Sequence, residues 1–133
     1  MPATLVEEWV SKAEQDYYSV QVLKRQHEHY VPDVVCFLCQ QCAEKYLKAF
    51  LVSRKVAPPK IHYLDRLNYL CIDVDPAFAL LEDATLVLNP FAVGLRYPGE
   101  QADASDVERA VRAMRQVREF VRARLSLSTR TAT

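Results

Sequence analysis

Three cysteines set two residues apart, Cys36, Cys39 and Cys42, have the spacing of a zinc or iron–sulfur ligand run. Such runs wrap a turn rich in glycine or proline. Here the surrounding residues, Cys36-Phe37-Leu38-Cys39-Gln40-Gln41-Cys42-Ala43-Glu44-Lys45-Tyr46-Leu47-Lys48-Ala49-Phe50-Leu51, are helix formers without interruption. At about 100° per residue the thiols fall among Leu38, Ala43 and Leu47 on one broad apolar arc. A buried free cysteine behaves as a small hydrophobe. The expectation is core packing, with neither metal nor disulfide. Cys71 shares a face with Leu64 and Leu67 and reads the same way.

The other chemistry-bearing residues are charged. Asp16 lies within the apolar arc of the first segment, between Trp9 and Leu23 in projection, where a carboxylate is costly unless paired. Its candidate partners are Lys45, His62 and Arg96, or a tyrosine such as Tyr46. It either ties the fold together or belongs to a polar site built from three elements. His62 follows Pro58-Pro59 and opens an apolar run, where an imidazole can cap a helix or move a proton. Arg96 stands on a loop, and its planar fork suits phosphate; pairing with Asp16 or with carbonyls at a helix end is the alternative. Arg112, Arg115, Arg118 and Arg122 project onto one flank of the last segment. That flank either lines a groove for phosphates or is a solvated face.

These residues need helices to position them. Leu5, Trp9, Ala13, Tyr17, Val20 and Leu23 recur at helical spacing and predict a helix from about Leu5 to Gln26. Pro32 suits the first turn of a second helix running to about Arg54. On it Gln40, Gln41, Glu44, Lys45 and Lys48 gather opposite the apolar arc, which predicts burial over half the circumference. Phe37 and Val52 project onto that polar side, and surplus apolar surface of this kind predicts a homodimer. A third helix spans His62 to about Ile72. Asp75 and Pro76 start a fourth that ends before Pro90. Pro90 to Gln101 is an ordered loop or short turn. Ser105-Asp106-Val107-Glu108 has the form of a capping box ahead of the stripe Val107, Val111, Met114, Val121 and Leu125. From Ser126 the chain is small and polar, a frayed tail. The expected fold is all-α, an up-and-down bundle of four to five helices forming one domain over residues 1–133, its core about 5–125.

Composition narrows the function. The chain has 133 residues, half of them apolar, and only two glycines, which argues against phosphate-cradling glycine loops. Its formal net charge is zero, so no global field draws in nucleic acid or membrane. The zero hides an asymmetry: Asp73 to Glu108 holds eight acids and one base, whereas beyond Glu108 seven arginines face the single acid Glu119. No signal peptide and no membrane-spanning run is evident, and the expectation is a soluble, cytoplasmic protein with no cofactor.

Four patches together resemble the HEPN domain family: Trp9-Val10-Ser11-Lys12-Ala13-Glu14-Gln15-Asp16-Tyr17, the helix centred on Gln40-Gln41-Cys42-Ala43-Glu44-Lys45, His62-Tyr63-Leu64-Asp65-Arg66-Leu67, and Arg96-Tyr97-Pro98. The resemblance covers about Leu5 to Leu125. It implies a helical bundle that dimerises and that often pairs with a minimal nucleotidyltransferase encoded next door, as a toxin–antitoxin module. Some members are metal-independent ribonucleases. That branch carries an arginine followed four to six residues later by histidine, and here no histidine follows Arg96 in that window. Arg54 precedes His62 by eight positions, which is outside it.

Asp16, Lys45, His62 and Arg96 are therefore carried over as family-matching polar positions, without catalysis. With Arg112, Arg115 and Arg118 they form the expected ligand-binding set. The favoured function is a dimeric, non-catalytic nucleotide- or phosphate-binding module, or docking partner of a nucleotidyltransferase, with nucleotide or RNA as ligand. One alternative is a metal-independent endoribonuclease using Arg96 and His62. The other is a purely structural helical interaction protein.

Overall fold

A computed structural model describes residues 2–26, 31–93 and 98–129. Five α-helices follow one another: α1 Leu5–Lys24, α2 Pro32–Ser53, α3 Leu64–Val74, α4 Glu82–Leu88 and α5 Ala104–Arg124. Among the described residues there is no strand, and no helix is long and apolar enough to cross a membrane.

Local chemistry sets the starts of these helices. The Thr4 hydroxyl accepts from the Glu7 amide at 3.1 Å, and Glu7 and Glu8 then sit in the first turn, where the helix dipole favours acids. Pro32 opens α2 as expected, and Asp33 beside it accepts from the Ala102 amide at 2.7 Å, pinning the entry of α2 to that of α5. The capping box of α5 is Asp103 with Asp106, two residues before the expected Ser105 and Glu108. Asp103 Oδ1 accepts from the Asp106 amide at 2.8 Å and Asp106 Oδ2 from the Asp103 amide at 3.0 Å.

Two other expected boundaries shift. His62 is not in α3 and does not cap it; Asn89 Oδ1, from the 3-10 turn after α4, accepts from the Leu64 amide at 2.7 Å. The expected fourth helix begins as a 3-10 segment, Pro76–Leu81, before α4 proper. Asp75 caps it, accepting from the Ala77 amide at 3.0 Å, and the Phe78 carbonyl is spent on Asn68 Nδ2 at 3.0 Å. Residues 126–129 of the expected frayed tail turn back over α5: Ser126 takes a left-handed φ of 60°, and the Leu127 amide donates to the Arg122 carbonyl at 2.8 Å.

At the centre lies α2, with α1, α3 and α5 packed around it. Tyr46, Leu47, Phe50 and Leu51 are fully buried, as are the four free thiols. Phe50, Phe78 and Phe120 pack in series, tilted and then edge-to-face, with ring centres 4.2 and 4.8 Å apart, joining α2, the 3-10 segment and α5. Truncating a central leucine such as Leu47 to alanine costs about 2–5 kcal/mol. Burial does not stop at half the circumference. Gln40, Glu44 and Lys48 are buried too, and Phe37 and Val52 are half-buried within the single chain. Each of the last two keeps part of its apolar surface open to solvent. Burial pushes the thiols of Cys39 and Cys42 up and that of Cys71 to about 12, which keeps them protonated as small core residues.

Candidate functional site

Two clusters and one ion pair tie the helices together. The tightest cluster joins α1, α2 and α5. Arg118 Nε and Nη2 each donate to Glu14 at 2.8 Å, a bidentate pair, and Tyr46 Oη donates to Glu14 Oε2 at 2.6 Å. Arg122 Nη1 donates to Tyr46 Oη at 3.0 Å and lies 3.5 Å from Glu14 Oε1. Burial pushes the Glu14 carboxyl up, but the bonds from Arg118 and Tyr46 and the charge of the two arginines outweigh it, and the net shift is downward. The bond to Glu14 raises the Arg118 guanidinium in turn. Tyr46 is raised, first by burial and then by its bond to Glu14. Arg118 is only 2% exposed and lies 4.2 Å from the centre of the Tyr17 ring. It therefore does not belong to a solvated arginine flank.

Asp16 finds one of its expected partners. Lys45 Nζ donates to Asp16 Oδ2 at 2.5 Å, and both side chains are largely buried. Tyr46, the other partner considered for Asp16, bonds Glu14 instead. His62 is not brought to Asp16. Its Nδ1 lies 3.2 Å from both carboxylate oxygens of Glu44, which also accepts from Gln40 Nε2 and Lys48 Nζ at 3.2 Å. Gln40 Nε2 donates to the His62 carbonyl as well, at 2.8 Å. Against a carboxylate Nδ1 must carry a proton, and this leaves Nε2 on the open side of a ring 65% exposed. Arg96, the fourth family-matching position, lies outside the described residues.

A groove of about 580 Å³ runs along α5, between Lys24 at the end of α1 and Glu108, Arg112, Arg115 and Glu119. The arginines of α5 divide here. Arg109 pairs with Asp106, Arg118 and Arg122 with Glu14, and Arg124 with Asp75. Arg112 and Arg115 are exposed and make no ion pair or hydrogen bond among the described residues. Their donors point to solvent, which is the chemistry a phosphate needs. Among the described residues no three of His, Cys, Asp or Glu gather as a metal site.

Glu14, Glu44 and Gln40 were not singled out by sequence reasoning. The trace they leave is a polar residue at a helix position that packing buries, fully for Gln40 and Glu44 and in part for Glu14. The positions that resemblance and spacing point to fall, among the described residues, in four places: Asp16 with Lys45, His62 with Glu44, Arg118 with Glu14, and Arg112 with Arg115 on the groove.

The arrangement has solved precedent as a fold. The crystal structure of an archaeal HEPN homologue superposes with a TM-score of 0.72 at 20% identity, over 92% of this chain and 99% of that one. No functionally curated protein matches the chain. The family model of the HEPN domain matches residues 6–124. With all but the ends of the bundle inside that match, the chain belongs to the HEPN domain family.

Proposed function

We propose that this chain is a non-catalytic, homodimeric HEPN module that binds a phosphate-bearing ligand, a nucleotide or an RNA, and docks a minimal nucleotidyltransferase as part of a toxin–antitoxin pair. One observation carries the ligand half: Arg112 and Arg115 keep their donors unspent along a groove that Lys24 also lines, while the other described arginines of α5 are paired within the fold. Charge-assisted bonds from such donors are the strong ones. The nucleotidyltransferase rests on the family resemblance, and the dimer on that resemblance and on the surplus apolar surface of α2.

Calorimetric titration of the protein with a short single-stranded RNA and with AMP tests the ligand half. The expected result is binding that weakens as salt rises. It should fall about tenfold or more in Arg112→Ala and Arg115→Ala, each of which removes a charged donor, with the unfolding midpoint unchanged. No binding at low salt, or binding indifferent to both variants, overturns it.

A second reading has its own observation. The imidazole of His62 is held by Glu44 with Nε2 outward, which is how an acid–base histidine is oriented. On that reading the protein is a metal-independent endoribonuclease, and cleavage of RNA lost in His62→Ala would establish it.

A further inference from the structure

The charges along the Lys24 groove stand in an order that selects among phosphates. Glu108, Arg112, Arg115 and Glu119 all line it. Their spacing of i, i+4, i+7 and i+11 puts them on one stripe of α5. Along the helix axis the two arginines are about 4.5 Å apart, and each glutamate stands about 6 Å farther out. All four residues are exposed. A glutamate and an arginine four residues apart are placed to pair, yet among the described residues neither glutamate does so. Lys24, at the end of α1, adds a third cation. The positive charge is therefore a short window with an acid at each end.

Such a window tells two kinds of phosphate apart. A phosphate monoester gathers a charge of about −1.5 to −2 on one group near neutral pH and offers three acceptor oxygens. It can meet both arginine forks at once and sets no charge beside the glutamates. A diester inside a strand carries one negative charge, and its neighbours bring further phosphates to either side. With the strand laid along α5, those phosphates fall against Glu108 and Glu119. At about 6 Å, inside a Debye length of about 10 Å, like charges repel. The ends of the groove call for donors instead. Both carboxylates accept hydrogen bonds only. Gln116 Nε2 donates to the Leu80 carbonyl at 3.3 Å, which leaves the amide oxygen as a third acceptor on the groove. The hydroxyls of a ribose and the amines of a base beside a terminal phosphate match these acceptors, and a run of phosphates does not.

We propose that this groove recognises a terminal phosphate monoester, on a free nucleotide or at the 5′ end of an RNA. Arg112 and Arg115 hold the monoester oxygens, with Lys24 as a further cation from α1. Glu108 and Glu119 set the preference by turning away the diester backbone. The inference rests on the phosphate reading of the same groove and names which phosphate it takes.

The test titrates the full chain at low salt with AMP, with adenosine, and with two short RNAs of one sequence. One RNA carries a 5′ phosphate and the other a 5′ hydroxyl. AMP and the phosphorylated RNA should bind, and the hydroxyl RNA should bind about tenfold or more weakly, the worth of a charged hydrogen bond. Adenosine should not bind. In the double variant Glu108→Gln/Glu119→Gln the hydroxyl RNA should tighten, so that the preference for the phosphorylated end narrows. Both glutamates are exposed, and the variant should keep the natural unfolding midpoint. Equal binding of the two RNAs to the natural protein overturns the proposal and leaves the phosphate reading in place. Adenosine matching AMP overturns it as well. A preference undiminished in the double variant overturns the part given to the glutamates. Failure of AMP and both RNAs to bind removes the phosphate reading and this inference with it. Binding of AMP without the phosphorylated RNA makes a free nucleotide the source of the monoester, and the reverse makes it the RNA end.

Discussion

Arg118 of α5 grips Glu14 of α1 with two parallel hydrogen bonds of 2.8 Å, across the side of a helix that touches both. The guanidinium is buried, and Tyr46 and Arg122 complete the cluster around the same carboxylate. A bidentate pair across helices 104 residues apart in sequence is a long-range clamp. Removing one partner leaves the other charge half-buried and uncompensated, which is far worse than never having had the pair. We expect Arg118→Ala to lower unfolding stability by about 3 kcal/mol, the lower end for a buried pair because Glu14 still reaches water. Glu14→Gln should cost a comparable amount, since its one amide oxygen replaces only part of the three bonds to the carboxylate and the buried guanidinium loses its counter-charge. Urea titration of the two variants checks both.

The same cluster fixes a pH dependence. Glu14 is held below its ordinary value of 4.5. A carboxyl lowered in the folded state contributes stability that is fully present above its unfolded value. That stability is lost as pH falls through the folded one. The gap in unfolding midpoint between the natural protein and Glu14→Gln should therefore be constant from pH 7 down to about pH 5 and shrink below 4.5. A gap that widens in acid would contradict the lowered carboxyl.

The thiols give a chemical check on the core. Cys36, Cys39, Cys42 and Cys71 are all buried, and burial raises the last three. Thiolate is the reactive form. A thiol-specific reagent at neutral pH should label none of the four in the native protein and all four in denaturant. Elemental analysis should find no stoichiometric zinc or iron. Replacing Cys39 and Cys42 by alanine should cost about 1–2 kcal/mol together, the worth of a small lost side chain at each buried site.

Much of this fold was legible because helix periodicity survives any context: the stripes of α1 and α5 and the proline starts lie where spacing put them. What was not legible depended on which polar residues the bundle would bury. Gln40, Glu44 and Lys48 form an i, i+4, i+8 row that reads as a wet face, yet other elements close over it and the row satisfies itself. Arg118 looks like its neighbours Arg112 and Arg115 at helical spacing, and only the position of Glu14 one helix away turns it inward. Lys45 is one of four candidate partners for Asp16 in the sequence, and only the packing of α1 on α2 selects it. Phe37 and Val52, whose apolar surface predicts the dimer, are half-buried within the chain and keep the rest of that surface open.

The homodimer is expected both from the family resemblance and from the surplus apolar surface of α2, and it is directly measurable. Light scattering at micromolar concentration should return twice the chain mass of 15.3 kDa. A monomer at every concentration tested would remove the dimeric part of the proposed function and leave the groove chemistry untouched.

The last expectation separates binding from catalysis. Ribonuclease chemistry at the ribose 2′-hydroxyl needs a base within reach of that oxygen and a cation on the phosphate. His62 has an orienting carboxylate in Glu44, but its ring stands at the opening of α3, and the unspent Arg112 and Arg115 lie on α5. With base and cations on different elements and Arg96 not followed by histidine, we expect no cleavage of an unstructured RNA in metal-free buffer. The same RNA should still bind, and binding should fall in Arg112→Ala and Arg96→Ala but hold in His62→Ala. Glu44→Gln sharpens the experiment, because it releases the imidazole without removing it. If RNA is cut, and cutting falls in His62→Ala, Arg96→Ala and Glu44→Gln alike, then His62 is the base and Glu44 its positioning residue. The protein would then be an endoribonuclease with a rearranged site. If only binding is seen and only the arginine variants reduce it, the non-catalytic module stands.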